Sequence, residues 1–276
     1  MFQMPNYRNN ISLRLSEVLG DIVVNERMVK KNRKVLMLEE TMHTISHRLT
    51  GDNVTVFFLG SQMEGTTTTG LQSDFDIVSC DHAVNVIQDW AELKPGMPSI
   101  RMIHDETTAH GYCFLQVLTS AMTEIRHTDC IRDTEGRVLW KNTWLNDAIL
   151  EYNERHGPSQ AMQGEQGFCD KDFVFALLCR SWPQSATGWL ERQSIGRWPT
   201  PEMKRYAVSN GCFVVAVGSR ISPKRDLEWR ISTSLAERCL MFNLNITQIR
   251  CYVLMKMLLK TFLNHKGDKN LSRFYV

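Results

Sequence analysis

The sequence predicts a mixed α+β (α/β) fold, with a strand-bearing core between a helical start and a helical end. Three observations carry this. A helix-favouring stretch with an approximate helical rhythm of apolar residues covers residues 11–49; separated runs rich in β-branched and aromatic residues lie at 54–59, 75–79, 112–118 and 173–178; and the character turns helical again after Asn243. At 276 residues, 43% hydrophobic and 22% charged, the chain can bury a sizeable core as one large domain or two modest lobes.

In chain order, Leu13, Val18, Ile22, Val29, Leu36, Leu38, Met42, Ile45 and Leu49 supply the first helical rhythm, as one long helix or as two with a break near Asn25. The run 54–59 is a strand ended by Gly60, so the loop Gly60-Ser61-Gln62-Met63-Glu64-Gly65 hangs from a strand end. Asp74 and Asp76 stand two apart in the next strand-like run, which puts both carboxylates on one face while Phe75 and Ile77 point to the other. Residues 83–93 read as a helix, and Pro95-Gly96-Met97-Pro98, Gly157-Pro158 and Trp182-Pro183 as loops. Asp172 heads the run 173–178 on the face of Val174 and Ala176. In a last helix starting near Thr247, Ile249, Tyr252, Val253 and Lys256 fall at i, i+3, i+4 and i+7, so a lysine shares the apolar stripe. The expected division is an N-terminal helical spine (1–50), a core (51–232) and the start of a C-terminal helical lobe (233–276), which stops at Val276 without a helix stop signal and reads as truncated.

No apolar segment approaches the roughly 20 residues a membrane helix needs, and the N-terminus does not read as a signal peptide, so a cytoplasmic setting without membrane contact is expected. The eight cysteines (80, 113, 130, 169, 179, 212, 239 and 251) are scattered through mostly apolar contexts without a Cys-x-x-Cys pair, which favours reduced, buried thiols over disulfides or zinc. The eight histidines show no ligand spacing. A net charge of +2 is too mild to imply nucleic-acid binding by itself, so any such role needs a local patch.

Two like charges side by side on a strand repel, and a bound cation is the natural way to keep both ionised. With Asp172 as a third acid, the oxygen-only donor set suits Mg²⁺ or Mn²⁺ better than zinc. Two such ions would activate an attacking hydroxyl and stabilise a leaving pyrophosphate, the two-metal logic of nucleotidyl transfer. The Gly60-Ser61 turn offers N–H groups and a hydroxyl to a triphosphate. The competing reading is a structural Asx-turn at Ser73-Asp74 with an ordinary strand-start Asp172.

These segments, with Glu64-Gly65-Thr66-Thr67-Thr68, Asp172-Phe173-Val174, Glu228-Trp229-Arg230-Ile231-Ser232 and Ser234-Leu235-Ala236-Glu237, resemble the male-abnormal-twenty-one (Mab) family. That family includes cyclic GMP-AMP synthase and its invertebrate receptor-like relatives of innate immunity, the branch this chain resembles most. The resemblance implies a polymerase-beta-type nucleotidyltransferase core closed by a helical lobe, with Asp74, Asp76 and Asp172 as ligands of two Mg²⁺ or Mn²⁺ ions. It implies Gly60 and Ser61 at the triphosphate, and Arg230, Ser232, Ser234, Glu237, Lys256 and Phe274 at nucleotide bases and phosphates. Glu64 reads as a loop-structuring residue. It further implies synthesis of a cyclic dinucleotide from ATP and/or GTP on sensing double-stranded RNA or, failing that, DNA.

Three departures from the family stand out. Residues 239–251 read as continuous helix without histidine, which argues against a zinc thumb; Asp74 replaces a glutamate of the vertebrate enzyme; and the chain stops where the family continues. Among Arg27, Lys30, Lys31, Arg33 and Lys34 on the spine, the last four form the candidate nucleic-acid patch, against the alternative of a solvated helix face. The alternative function is a catalytically silent binding or scaffold protein, and a linear-product polymerase is a third.

Overall fold

A computed structural model describes residues 5–22, 24–68, 71, 73–118, 127–143, 155–156, 159–162, 170–196 and 198–266. The N-terminal rhythm resolves into two helices, α1 (Pro5–Asp21) and α2 (Glu26–Thr50). The break falls at Asn25, whose side chain caps α2 by accepting from Met28 N at 2.9 Å. Gly51, in the left-handed region at φ 92°, closes α2.

The core is a mixed sheet of β1 (Val54–Leu59), β2 (Phe75–Ile87), β3 (Ser99–Ile103), β4 (Tyr112–Val117), β5 (Cys130–Arg132), β6 (Val138–Trp140), β7 (Arg155–His156), β8 (Ser159–Met162), β9 (Lys171–Cys179), β10 (Cys212–Val215) and β11 (Glu228–Ser232). Its helices are α3 (Gly60–Glu64), α4 (Thr187–Glu191), α5 (Pro201–Asn210), α6 (Ser234–Phe242) and α7 (Ile246–Lys266). The pairings run β2–β3–β4–β11–β10–β9 and return to β2, so six strands close on themselves. All are antiparallel except β2–β3 and β2–β9. Each of the six contributes to one buried cluster: Val84 and Val86, Ile100 and Met102, Cys113 and Leu115, Trp229, Cys212 and Val214, Leu177 and Cys179. Trp229 fills its centre and donates its indole N–H to Trp140 O at 3.0 Å, which removes the cost of burying that donor.

Residues 83–93 are a correction to the sequence reading. β2 continues to Ile87, and Trp90–Glu92 form one 3₁₀ turn. Val84, Val86 and Ile87 are β-branched and buried, and residues 85–87 pair with β3; sheet pairing outweighed an apolar spacing that also suited a helix. Residues 239–251 are likewise not one helix. Asn243 ends α6, and Asn245 starts α7 by accepting from Gln248 N at 3.0 Å. β3, β10, β11 and the short strands β5–β8 had no counterpart as strands in the sequence reading. Of the seven cysteines described, Cys80, Cys113, Cys179 and Cys212 are buried and Cys251 is exposed. No helix among the described residues is long and apolar enough to cross a membrane.

The three elements nearest the candidate acids are held from both sides. On one face of β1, β2 and β9, Leu36 of α2 packs with Val56, Phe58, Met63 and Ile77; on the other, Leu235 of α6 packs with Leu59, Val78, Cys80 and Ala176. A cavity of about 280 Å³ lies on the α2 side, between Glu39, His43 and His47 and the strand residues Phe75, Ile77 and Phe173. It is on the opposite face of β2 and β9 from Asp76 and Asp172.

β1 is an edge strand whose outer groups find side-chain partners. Thr44 Oγ1 accepts from Val56 N at 3.0 Å, Glu40 Oε2 accepts from Phe58 N at 2.9 Å, and Arg238 of α6 donates to Phe58 O at 3.1 Å. Arg238 and Glu40 also pair at 2.6 Å with little exposure. Two helices therefore grip one strand edge through a single ion pair. Replacing Arg238 by Ala leaves Glu40 and Phe58 O without that partner, and urea unfolding should record a loss of roughly 3 kcal/mol. The double variant Glu40→Gln/Arg238→Met should lose clearly less.

Candidate active site

The β2–β9 register places Asp76 directly opposite Asp172, with Val78 opposite Val174 and Cys80 opposite Ala176 along the same face. Because β2 and β9 are parallel and adjacent, two carboxylates from sequence positions 96 apart lie side by side at the mouth of the α6-side core. Asp74 immediately precedes β2 and is half-buried. Burial is the largest influence on Asp76, followed by the negative charges of Asp172, Asp74 and Glu64; together they push its carboxyl up to about 6.

The Gly60 loop is the one-turn helix α3, held against this cluster. Gly60 sits at φ 68°, and a Cβ there would come within 1.9 Å of Asp76 Oδ2, so both conformation and space require glycine. Past α3, Thr66 Oγ1 donates to Glu64 Oε2 at 3.2 Å, and Thr67 and Ser73 hydroxyls meet at 2.7 Å. Gln62 donates to Ser73 O at 2.8 Å, tying the loop to the start of β2.

α7 supplies the positive charge. Ile249 and Val253 bury its stripe against Leu19, Val24 and Val29, and one turn on, Lys256 donates to Ser61 Oγ and to Thr66 O. Burial lowers the lysine's pKa, and Glu64 and then Asp76 raise it. Reciprocally, Lys256 is the largest influence opposing the burial that raises Glu64. Lys260, at i+4, donates to Leu71 O at 2.8 Å. Two lysines on one helix face thus reach Ser61, Thr66 and Leu71.

The structure brings Asp76, Asp172, Asp74, Ser61, Gly60 and Lys256 together. Arg230 is exposed on β11 between Val215 and Tyr112, and its side chain makes no hydrogen bond or ion pair among the described residues. Ser232 and Ser234 hydrogen-bond to each other at the β11–α6 junction, and Thr233 Oγ1 donates to Glu237 Oε1 at 3.2 Å. Glu237 adds to the negative field at Glu64, which joins this junction to the acid cluster. Phe274 lies outside the described residues. On α2, Lys30, Lys31 and Lys34 are exposed, Lys30 pairing with Glu26. Arg33 separates from them: its guanidinium donates to Glu64 O, Met241 O and Phe242 O and lies over the Phe242 ring at 4.4 Å. It is a clamp between α2, α3 and α6, on the inner side of the helix from the three lysines.

Sequence reasoning missed two members of the site. Glu64, taken as a loop residue, is buried into the field of Lys256 and Asp76, and no sequence signal marks that. Lys260 was available from its i+4 spacing to Lys256.

The donor set suits a hard divalent cation. It is all carboxylate oxygen, burial and the neighbouring acids raise the pKa of Asp76, and the missing Cβ at Gly60 leaves the Asp76 oxygen clear. Among the described residues no three such side chains already stand in metal-holding geometry, so the acids are neighbours within each other's field and not a closed cage. In metal-free protein the linkage has a definite sign. The Asp76 pKa is raised on folding from 3.8 to about 6, so its contribution to stability is full below pH 4 and is lost as pH rises through 6. Asp76→Asn should therefore be more stable than wild type above pH 6, by on the order of 2–3 kcal/mol, and the gain should vanish toward pH 4. Urea unfolding in EDTA across that range measures it.

Residues 114–243 match the profile of the Mab-21 protein nucleotidyltransferase domain. No curated protein sequence matches the chain. The matched span runs from β4 to the end of α6 and holds Asp172, Arg230, Ser232, Ser234 and Glu237. Residues 114–243 of this mixed α+β chain are thus similar to a Mab-21 nucleotidyltransferase domain.

Proposed function

We propose that this chain is a divalent-cation-dependent nucleotidyltransferase that joins ATP and/or GTP into a cyclic dinucleotide, acting in the cytoplasm and switched on by double-stranded RNA or DNA. The observation that carries the reading is Asp76 opposite Asp172 beneath the Gly60-Ser61 turn, with Lys256 bonded to Ser61. Half-buried acids beside a lysine-held hydroxyl turn suit a triphosphate whose negative charge arrives with cations.

In this reading Asp74, Asp76 and Asp172 hold two Mg²⁺ or Mn²⁺ ions, which when bound supply Lewis-acid stabilisation of the developing charge. Asp172 takes up the proton of the attacking ribose hydroxyl. Lys256 places its charge beside the Ser61 hydroxyl, where the phosphates of the bound nucleotide lie, and ties Ser61 to Thr66. Arg230, Ser232, Ser234 and Glu237 line the approach of the bases from the β11–α6 side. Lys30, Lys31 and Lys34 on α2 meet the phosphates of the duplex.

Incubation with ATP, GTP, Mn²⁺ or Mg²⁺ and a double-stranded RNA such as poly(I:C) should yield a cyclic dinucleotide on thin-layer chromatography. Asp76→Asn and Asp172→Asn should each lower the rate by roughly 10²–10⁴-fold. A wild-type protein as inert as these variants across a panel of RNA and DNA duplexes would favour a silent scaffold instead, and a ladder of linear products would point to a polymerase.

For duplex binding, Lys30→Glu/Lys31→Glu/Lys34→Glu should weaken affinity uniformly across sequences. The slope of log K against log salt should become shallower by about 0.9 for each lysine that meets a DNA phosphate. Unchanged binding and slope would remove α2 from the duplex site.

A further inference from the structure

α2 has two apolar faces, and only one is covered. Val29, Leu36 and Thr44 are buried toward the body of the protein. Val35, Leu38, Met42, Ile45 and Leu49 stand in water at 45%, 61%, 61%, 48% and 83% exposure. At 100° per residue these five lie on the side of the helix opposite the buried residues. Four of the residues that give this helix its apolar rhythm in the sequence therefore face outward.

Their spacing is 3, 4, 3, 4, which is the a and d seam of a heptad repeat and not the broader stripe of a helix packed on a globular core. Five successive layers over 15 residues extend about 22 Å. Scattered exposed apolar residues need no explanation, but a contiguous seam on one helix does.

The flanking charges choose the occupant. With Val35 at position a, Lys34 is a g position and Glu39 an e position; both are exposed and neither side chain has a hydrogen bond or ion pair among the described residues. In a parallel pair of identical helices, each g residue faces the e residue five positions on in the other chain, so Lys34 of each copy meets Glu39 of the second copy, twice by symmetry. An antiparallel pair instead sets g against g, bringing Lys34 toward Arg48 with like charge. Lys31, at the preceding d position, would oppose itself and ends the seam there, and Gly51 ends the helix at the other end.

We propose that the outer face of α2 is a self-association surface on which two copies of this chain pair through a parallel, two-stranded coiled coil over residues 35–49. The seam is only five layers long, so the dimer forms reversibly and its population rises with protein concentration.

Sedimentation velocity or light scattering on the whole chain, without nucleotide or nucleic acid, tests this independently of any catalytic activity. Between about 1 and 100 µM the mass should rise from the 31.9 kDa of one chain toward twice that value. Leu38→Glu/Ile45→Glu should stay monomeric throughout, with circular dichroism unchanged and an unfolding midpoint equal to that of the wild type at its lowest, monomeric concentration, because both side chains face water in the monomer. Lys34→Glu and Glu39→Lys should each weaken the dimer at least about tenfold, and the two together should restore it. A monomer at every concentration, or a dimer indifferent to Leu38→Glu/Ile45→Glu, overturns the proposal; so does a charge swap that is not rescued, since pairing would not then be parallel.

Discussion

Everything near the candidate site depends on two carboxylates being forced together by strand pairing. Asp76 and Asp172 are opposite residues of a parallel pair, so neither can withdraw without breaking backbone hydrogen bonds that β2 and β9 also need to close the six-stranded ring. A closed ring resists the local give that would relax like charges on an open edge. The repulsion is therefore retained, and it adds to burial, the larger influence, in raising the Asp76 pKa.

The surroundings accommodate that repulsion. Gly60 yields its side-chain space to the Asp76 oxygen, and Lys256 brings one positive charge from α7 to the loop above. Arg33 and Arg238 do comparable work away from the acids, one tying α2 to the ends of α3 and α6, the other gripping the free edge of β1 with Glu40. Charged side chains thus hold the helices at the distances the acids require, while the apolar interior of the ring sets the strand positions. The paired acids thus sit on rigid strands, and the Ser61 hydroxyl on a loop pinned from a separate helix.

Local chemistry was legible where a residue type speaks through its neighbours. Asn25 broke the first helix because an asparagine side chain competes for the N–H groups that open a helix, and the run 54–59 ended at Gly60 because that position needs φ 68°. Asp74, Asp76, Asp172, Ser61 and Lys256 could be marked as acids on strands, a hydroxyl in a turn and a lysine on an apolar stripe. Residues 83–93 were misread because Val84, Val86 and Ile87 suit a buried strand and a buried helix equally until a partner strand is known. Arg33 was grouped with Lys30, Lys31 and Lys34 by charge alone, although its position on the helix turns it inward toward three backbone carbonyls.

By itself the sequence determined the mixed class, the first helix break, the strand that carries the paired acids and the residue types able to hold a cation, because these follow from side-chain shape and from periods of 2 and 3.6 within one segment. Only the tertiary structure decided that Asp172 faces Asp76, that Lys256 reaches Ser61, that Glu64 joins the acids, and which apolar face of α2 is covered. Those are distances between segments far apart in the chain, and they depend on which strand pairs with which and which helix face meets the body, information that no single segment contains.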